Sequence, residues 1–127
     1  MNEDVVAIVG SRKRSARIAE AVTTTMESLD RNTLIVTGCC RSGVDMHVRD
    51  ECDRLGFRLI VCVARWKARG QAAGPERNDV IARIAKRAYA FPEGSKRESS
   101  PGTWDCVDRF KSRNKPVDVR LVREVLS

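Results

Sequence analysis

Five short runs of apolar and β-branched residues recur along the chain, separated by more polar segments. Runs of this length and composition predict β-strands, and because few polar residues interrupt them, both faces of each strand should be buried. The runs are VVAIV at 5–9, LIVT at 34–37, FRLIVCV at 57–63, AYAF at 88–91 and PVDV at 116–119.

Four stretches between these runs have a different pattern, in which apolar residues recur every three or four positions. This spacing places the apolar side chains on one face of an α-helix. They are Ile18, Val22, Met26 and Leu29, then Val44, Val48, Cys52 and Leu55, then Val80, Ile81 and Ile84, then Trp104, Val107 and Phe110. Alternating strands and helices predict an α/β fold, a Rossmann-like three-layer sandwich with a mainly parallel sheet of about five strands. A last apolar pattern, from Val119 to Leu126, fits either a short helix or an extended tail.

The length of 127 residues fits one domain, because compact domains commonly have about 100 to 150 residues. We assign residues 1–127 to a single domain. No apolar run approaches the roughly 20 residues needed to span a bilayer. The acidic start MNEDVVAIVG also differs from a secretory signal. These features predict a cytoplasmic protein with no membrane partner.

The chain carries a formal net charge of +7, from 24 Lys and Arg against 17 Asp and Glu. This charge favours anionic partners, but it does not distinguish nucleotides from nucleic acid, and it also fits a solvated basic surface. The aromatic residues are two Trp, one Tyr and three Phe, and they are not interleaved with the basic clusters. A base-stacking platform for single-stranded nucleic acid therefore has little support.

The five cysteines contain no CxxC pair, and His47 is the one histidine, so we predict no bound metal. Three cysteines lie among apolar neighbours and are expected in the core: Cys52, Cys62 and Cys106. A reactive thiol at Cys39 or Cys40, beside Arg41, is an alternative that requires a lowered thiol pKa.

Parallel sheets bind ligands beyond the carboxyl ends of their strands, so the loops at that edge are candidate sites. After the first strand, Gly10 permits a tight turn, Ser11 offers a hydroxyl and Arg12 supplies a guanidinium. After the second strand, the segment TGCCRSGVD leads into a helix. Its candidate ligand-binding residues are Thr37, Gly38, Arg41, Gly43 and Asp45. Glycines there allow backbone N–H groups to approach a phosphate. The structural alternative is turn glycines, a cap at Ser42 and an acidic residue suited to the helix dipole.

The segment AAGPERN, which follows the third strand, opens a predicted helix. Pro75 suits the first helical turn, where backbone N–H groups lack partners. Arg77 is unfavourable near the positive end of the helix dipole unless an anion lies close by. We predict that this anion is a ligand phosphate; an ion pair with Glu76, Asp79 or Glu93 is the structural alternative.

The loop after the fourth strand also opens a helix. Ser100, Gly102 and Thr103 place hydroxyl groups and a glycine turn at its start, where a phosphate could bind. Trp66, which follows the third strand, could stack on a base or be buried, and we favour a ligand-facing position. His47 should lie on the surface, because it falls on the polar side of its helix.

Four loops and the last strand carry the segments GSR, TGCCRSGVD, ARWKARGQAAGPERNDVI, AFPEGSKRESSPGT and NKPVDV. In this order they resemble the SLOG superfamily, and within it the small YspA-like group related to YpsA. The resemblance extends from Val5 to about Val119. It implies a Rossmann-like fold that binds nucleotides or nucleotide-derived ligands. Relatives include the Lonely Guy phosphoribohydrolases and a DNA-processing protein that binds single strands.

The resemblance also implies roles for individual residues. Those that match the ligand loops are Gly10, Ser11, Arg12, Gly38, Arg41, Gly43, Asp45, Arg77, Asn78, Ser100, Gly102 and Thr103. Arg77 corresponds to the arginine at the catalytic centre of the phosphoribohydrolases. Their motif PGGxGTxxE ends in a glutamate that stabilises the positive charge developing on ribose. Here the segment SSPGTWDCVD places Cys106 at that position, between Asp105 and Asp108, and a neutral thiol cannot supply the charge.

Three functions follow, in order of preference. The first is a nucleotide-binding module with no required cofactor, whose ligand is a nucleoside phosphate or an ADP-ribose-like or NAD-derived molecule. The second is an enzyme that cleaves nucleoside 5'-monophosphates, with Arg77 and an acidic residue, Asp105 or Asp108, as its catalytic pair. The third is binding of single-stranded nucleic acid. The resemblance further implies a homodimer.

Overall fold

The computed structural model describes residues 3–122 and contains one five-stranded sheet in which all neighbouring strands are parallel. The strands are β1 (Val5–Gly10), β2 (Leu34–Gly38), β3 (Arg58–Cys62), β4 (Arg87–Phe91) and β5 (Val117–Val119). The helices are α1 (Ala16–Glu27), α2 (Gly43–Leu55), α3 (Trp66–Arg69), α4 (Ala73–Ile84) and α5 (Pro101–Ser112). The predicted α/β class, the three layers and the parallel sheet of five strands are confirmed.

Both faces of the central strands are buried, because strand side chains alternate between them, whereas the edge strand β3 is partly exposed. On β1, Val6 and Ile8 pack with α1 and α2, whereas Ala7 and Val9 pack with α4 and α5. All four side chains are buried, and Val6, Ala7 and Ile8 are inaccessible to solvent. The continuous apolar run of β1 is therefore needed to build two separate cores.

Three of the predicted helices have identifiable capping contacts at one end, two of them local in sequence. Ser15 precedes α1, and its hydroxyl oxygen accepts a hydrogen bond from the backbone N–H of Ile18 at 3.2 Å. Gly56 ends α2 with a φ of 81°, a left-handed conformation that glycine adopts without steric cost. The ammonium group of Lys115 donates hydrogen bonds to the carbonyl oxygens of Ala82 and Ala85 at 2.7 Å each. It thereby satisfies carbonyl groups at the end of α4 that have no partner within the helix.

The structure differs from the sequence prediction in three places. The segment after β3 contains the short helix α3 and a 3-10 turn at Gly70–Ala72, neither of which has an apolar periodicity. Helix α4 begins at Ala73, two residues before Pro75, so Arg77 is its fifth residue. In the last apolar pattern, Val122 packs against the α1 and α2 core, whereas Val125 and Leu126 lie outside the described residues.

The strand order β3-β2-β1-β4-β5 decides where the loops meet. The chain leaves β1 toward one face of the sheet and leaves β4 toward the other, so the two loops separate at the carboxyl ends of these neighbouring strands. A crevice forms at such a point in doubly wound sheets. Within the described part of the chain, no helix is long and apolar enough to cross a membrane.

Candidate functional site

A cleft with a volume of about 390 Å³ lies beyond the carboxyl ends of β1 and β4. It brings together residues from four loops that are far apart in sequence. The predicted ligand-binding residues that line it are Gly10, Ser11, Arg12, Gly38, Asp45, Arg77, Asn78, Ser100, Gly102 and Thr103. The four loops therefore converge, as the position of ligand sites in parallel sheets led us to expect.

Arg77 is the most unusual residue of the cleft, because its side chain is charged but only 8% exposed. Its Nε donates to Oδ1 of Asn78 at 3.0 Å, and its Nη1 lies 3.6 Å from Sγ of Cys39. Among residues 3–122, no carboxylate oxygen lies within 4.0 Å of the guanidinium, and Nη2 donates to no protein group. The predicted structural alternatives, ion pairs with Glu76, Asp79 or Glu93, do not form. Arg77 is therefore a buried cation without a direct ion pair, and the buried carboxylate of Asp45 lies across Gly38 from it.

Asn78 holds the guanidinium of Arg77 in place. Its Nδ2 donates to the backbone oxygen of Gly102 at 3.1 Å and to Oδ2 of Asp105 at 3.0 Å. Because the amide nitrogen of Asn78 donates to these two acceptors, its oxygen, Oδ1, is the atom that faces Nε of Arg77. Arg109 in turn donates to Oδ2 of Asp105 at 2.9 Å. Helix α5 thus orients the arginine of α4 through one amide side chain.

The first turn of α5 contributes unpaired donors to the same cleft. Pro101 is the first helical residue, and the backbone N–H groups of Gly102 and Thr103 donate to no group in the described part of the chain. Thr103 is 6% exposed, and Ser100 accepts a hydrogen bond from the backbone N–H of Glu93 at 2.8 Å. A helix start with unpaired N–H groups favours an anion through both hydrogen bonding and the helix dipole.

The loop after β1 is held against two other elements by backbone contacts. The N–H of Ser11 donates to the oxygen of Phe91 at 2.9 Å, and the oxygen of Ser11 accepts from the N–H of Val44 at 2.9 Å. The Ser11 hydroxyl oxygen accepts from the N–H of Lys13, so it is used within the loop. A Cβ on Gly10 would lie 2.6 Å from the oxygen of Phe91, which explains the glycine. Arg12 extends from this loop at the mouth of the cleft, and its side chain is exposed.

Asp45 is the buried carboxylate of the cleft, with 7% exposure. Its Oδ2 accepts from the N–H of Cys40 at 3.1 Å, and its Oδ1 lies 3.2 Å from the hydroxyl of Thr37. Asp45 is also in the first turn of α2, where the helix dipole favours its charge. A Cβ on Gly38 would lie 2.6 Å from Oδ2 of Asp45 and 2.9 Å from Nη1 of Arg77. Gly38 therefore makes space for two charged side chains.

Four of the predicted ligand-binding residues do not line the cleft. Thr37 is fully buried beneath it, where its hydroxyl donates to the oxygen of Ile8 at 2.7 Å. Arg41 and Gly43 lie on the opposite side of the loop after β1, in a second cavity. Gly43 has a φ of 69°, and its missing Cβ would lie 2.2 Å from the oxygen of Ser11, so its structural role is clear.

Trp66 is the fourth of these residues, and it does not line the cleft although a ligand-facing position was predicted. It is 47% exposed and packs against Gly74 at the start of α4. The indole thus lies outside the residues that line the cleft. The 3.2 Å between its ring and a Cβ built on Gly74 explains why a glycine is present at that position.

The structure places the acidic residues and the thiol considered for catalysis in different surroundings. Asp105 does not line the cleft, because Asn78 and Arg109 both donate to its carboxylate. Asp108 is exposed and forms an ion pair with Arg97 at 2.6 Å. Cys106 does line the cleft, and burial raises the pKa of its thiol to about 12, so the thiol is neutral near pH 7.

Sequence reasoning missed Lys13 and Glu93, which face each other across the mouth of the cleft. Nζ of Lys13 lies 2.9 Å from Oε1 of Glu93, although 80 positions separate them. Cys40 also lines the cleft, and the pKa of its thiol is raised by burial and by Asp45, which disfavours the predicted alternative of a reactive thiol there. The sequence offered Cys40 only as a reactive thiol and Glu93 only as an ion-pair partner of Arg77, and no local signal places these side chains together.

Two solved structures resemble this fold. DNA processing protein A from Streptococcus pneumoniae aligns with a TM-score of 0.79 at 19% identity, over 98% of this chain and 52% of that protein. A molybdenum cofactor binding protein from the phototrophic bacterium Rippkaea orientalis aligns with a TM-score of 0.71 at 14% identity, over 97% of this chain and 79% of that one. This chain thus spans about half the length of the DNA-processing protein. No protein-family model and no curated protein sequence matches the chain.

At these identities the likeness shows the fold. The Rossmann-like fold implied by the resemblance to the SLOG superfamily is thereby confirmed, and membership of its YspA-like group stays a prediction.

Proposed function

We propose that the cleft binds the phosphate-bearing part of a nucleotide or nucleotide-derived molecule. One observation carries this proposal: the buried guanidinium of Arg77 and the unpaired N–H groups of Gly102 and Thr103 face the same cavity. A buried cation without a direct ion pair is unfavourable, and the start of a helix favours an anion. A phosphate group has enough acceptor oxygens to bind both sets of donors at once.

The cleft also has room for more than a phosphate. Its volume of about 390 Å³ lies within the range of roughly 300 to 1,000 Å³ typical of small-molecule sites. Val9 and Ile81 add apolar surface beside the polar donors. Such a mixture suits a ligand with an anionic end and a flat, less polar body. The DNA-processing protein and the molybdenum cofactor binding protein are consistent with a nucleotide-like partner for this fold.

Binding is better supported than N-glycosidic cleavage. The position of the catalytic glutamate in the phosphoribohydrolases is occupied by Cys106, whose pKa of about 12 keeps it uncharged. Asp105 is engaged by two neighbouring side chains and could act only if they released it. We therefore expect purified protein to release no free base from nucleoside monophosphates.

Calorimetry with AMP, ADP, ADP-ribose and adenosine tests the proposal. The phosphate-bearing ligands should bind, whereas adenosine should bind at least tenfold more weakly. Arg77→Met should weaken AMP binding by about 10- to 100-fold, because a charge-assisted hydrogen bond contributes roughly 1.5 to 3 kcal/mol. Arg83→Met is the matched control, since Arg83 is an exposed arginine at the other end of α4. Equal binding of adenosine and AMP, or full AMP affinity in Arg77→Met, would contradict the proposed site.

Native mass spectrometry of freshly purified protein provides a second test. A co-purifying nucleotide would identify the ligand, and the same spectrum would report whether the predicted homodimer forms. Loss of the bound mass in Arg77→Met and its retention in Arg83→Met would place the ligand in the cleft.

A further inference from the structure

The second cavity lies beside the cleft, on the other side of the loop after β1, and has a volume of about 380 Å³. It is formed between the first turns of α1 and α2. Ile18, Ala19, Val44 and Met46 provide an apolar lining, and Lys13 lines both the cleft and this cavity. The two cavities are therefore neighbours that share one cationic side chain.

The rim of the second cavity is cationic. Arg14 and Arg41 both line it and are exposed, with Asp50 as the one carboxylate among the lining residues. Neither arginine forms an ion pair within residues 3–122, whereas Arg54 and Arg97 are paired with carboxylates. The guanidinium groups at this rim thus form no ion pair in the described part of the chain.

The charge of the whole chain is concentrated at this edge of the sheet. Four segments join strands β1 to β4 to the long helices that follow: residues 11–15, 39–42, 63–72 and 92–100. They contain nine basic and two acidic side chains, a net charge of +7, which equals that of the whole chain. The remaining 15 basic and 15 acidic residues cancel. Arg69 and Arg97 pair with carboxylates just outside these segments. A single phosphate in the cleft does not account for the positive charge that remains at this edge.

We propose that the cleft and the second cavity together bind a ligand with at least two linked nucleotide units, one in each cavity. The proposal rests on the function proposed above and extends it to the class of ligand. A second base would lie on the apolar lining of the second cavity, and Arg14 and Arg41 would bind the phosphate that accompanies it. Lys13, between the cavities, would exchange Glu93 for the linking phosphate. That exchange costs little, because the Lys13 side chain is 74% exposed and such ion pairs are weak.

The experiment compares AMP, the 5'-phosphorylated dinucleotide pApA and the matching octanucleotide in calorimetry at fixed salt. The wild-type protein should bind pApA at least tenfold more tightly than AMP. Arg14→Glu should abolish this gain while its AMP affinity stays within about threefold of wild type, because Arg14 does not line the cleft. Arg41→Glu should also lose the gain. The control Arg83→Glu, which makes the same charge change far from both cavities, should retain it.

The outcomes separate this inference from the function on which it rests. Equal affinity for AMP and pApA in wild type, or a gain that survives in Arg14→Glu, would overturn the two-unit ligand while leaving the cleft as a mononucleotide site. If neither AMP nor pApA binds, both proposals are wrong. The octanucleotide identifies the source of the ligand. Affinity that stops rising at two units indicates a free dinucleotide, and affinity that rises further and falls steeply with salt indicates a nucleic-acid strand.

Discussion

Replacing Arg77 by methionine distinguishes a residue that binds a ligand from one that holds the fold together. Methionine keeps an unbranched apolar stem in the buried space and removes the charge. The change removes the hydrogen bond from Nε to Oδ1 of Asn78 and a weak one from Nη1 to Sγ of Cys39. It leaves the Asn78 oxygen without its donor, at a cost of roughly 1 to 3 kcal/mol. It also removes a desolvated cation that has no carboxylate within 4.0 Å in the described part of the chain, which relieves a penalty of several kcal/mol.

Because these two effects oppose each other, we expect Arg77→Met to unfold with a free energy within about 1 kcal/mol of wild type, or higher. Breaking a buried ion pair would instead cost roughly 3 to 5 kcal/mol. The assay is urea unfolding followed by circular dichroism, in phosphate-free buffer with a reductant for the five cysteines. Adding AMP at about 100 times its Kd should stabilise wild type by about 2.7 kcal/mol and the variant by much less.

Two results would refute this reasoning. A loss of 3 kcal/mol or more in the ligand-free variant would show that Arg77 has a structural partner that compensates its charge. Equal stabilisation of variant and wild type by AMP would show that the guanidinium does not contact the ligand. Arg83→Met, measured in parallel, reports the effect of removing one positive charge from α4 outside the cleft.

Three further predictions concern other parts of the fold. Gly43→Ala should lower the free energy of unfolding by about 3 kcal/mol, because the new Cβ would be strained by the left-handed backbone and would also overlap backbone atoms. Gly56→Ala has the same backbone strain but nothing within 4 Å of its Cβ, so it should cost only about 1 kcal/mol in the same urea titrations. Hydrogen bonds from Arg54 hold the pKa of Glu51 below its ordinary value of 4.5. The contribution of ionised Glu51 to folding stability is therefore present above pH 4.5 and is lost as the pH falls through the lowered pKa. Unfolding free energies measured at pH 6 and pH 3 should therefore differ less in Glu51→Gln than in wild type. Cys106 should resist iodoacetamide at pH 8 in the folded protein and react in urea, as peptide mass spectrometry would show; rapid labelling of the native protein would contradict a thiol pKa of about 12.

Much of the fold follows from local sequence because strands and helices differ in periodicity. The apolar runs located all five strands, with bounds that differ from the observed ones by at most one residue at each end. The short helix α3 has four residues and buries none of them, so it lacks the apolar spacing by which a helix is recognised. Its Trp66 packs against Gly74 of α4, a contact that no local pattern encodes.

The sequence by itself determined the α/β class, the parallel sheet and the loops that carry glycine, hydroxyl and basic residues. Only the tertiary structure decided how those loops are divided between two cavities. Arg41 and Gly43 come from a loop that also supplies the cleft, yet they face the second cavity because Gly43 packs against the backbone of Ser11. Arg77 is a site residue because Asn78 and Asp105, 27 positions apart, meet across two helices. Such contacts depend on strand order and helix packing, and those are properties of the whole chain.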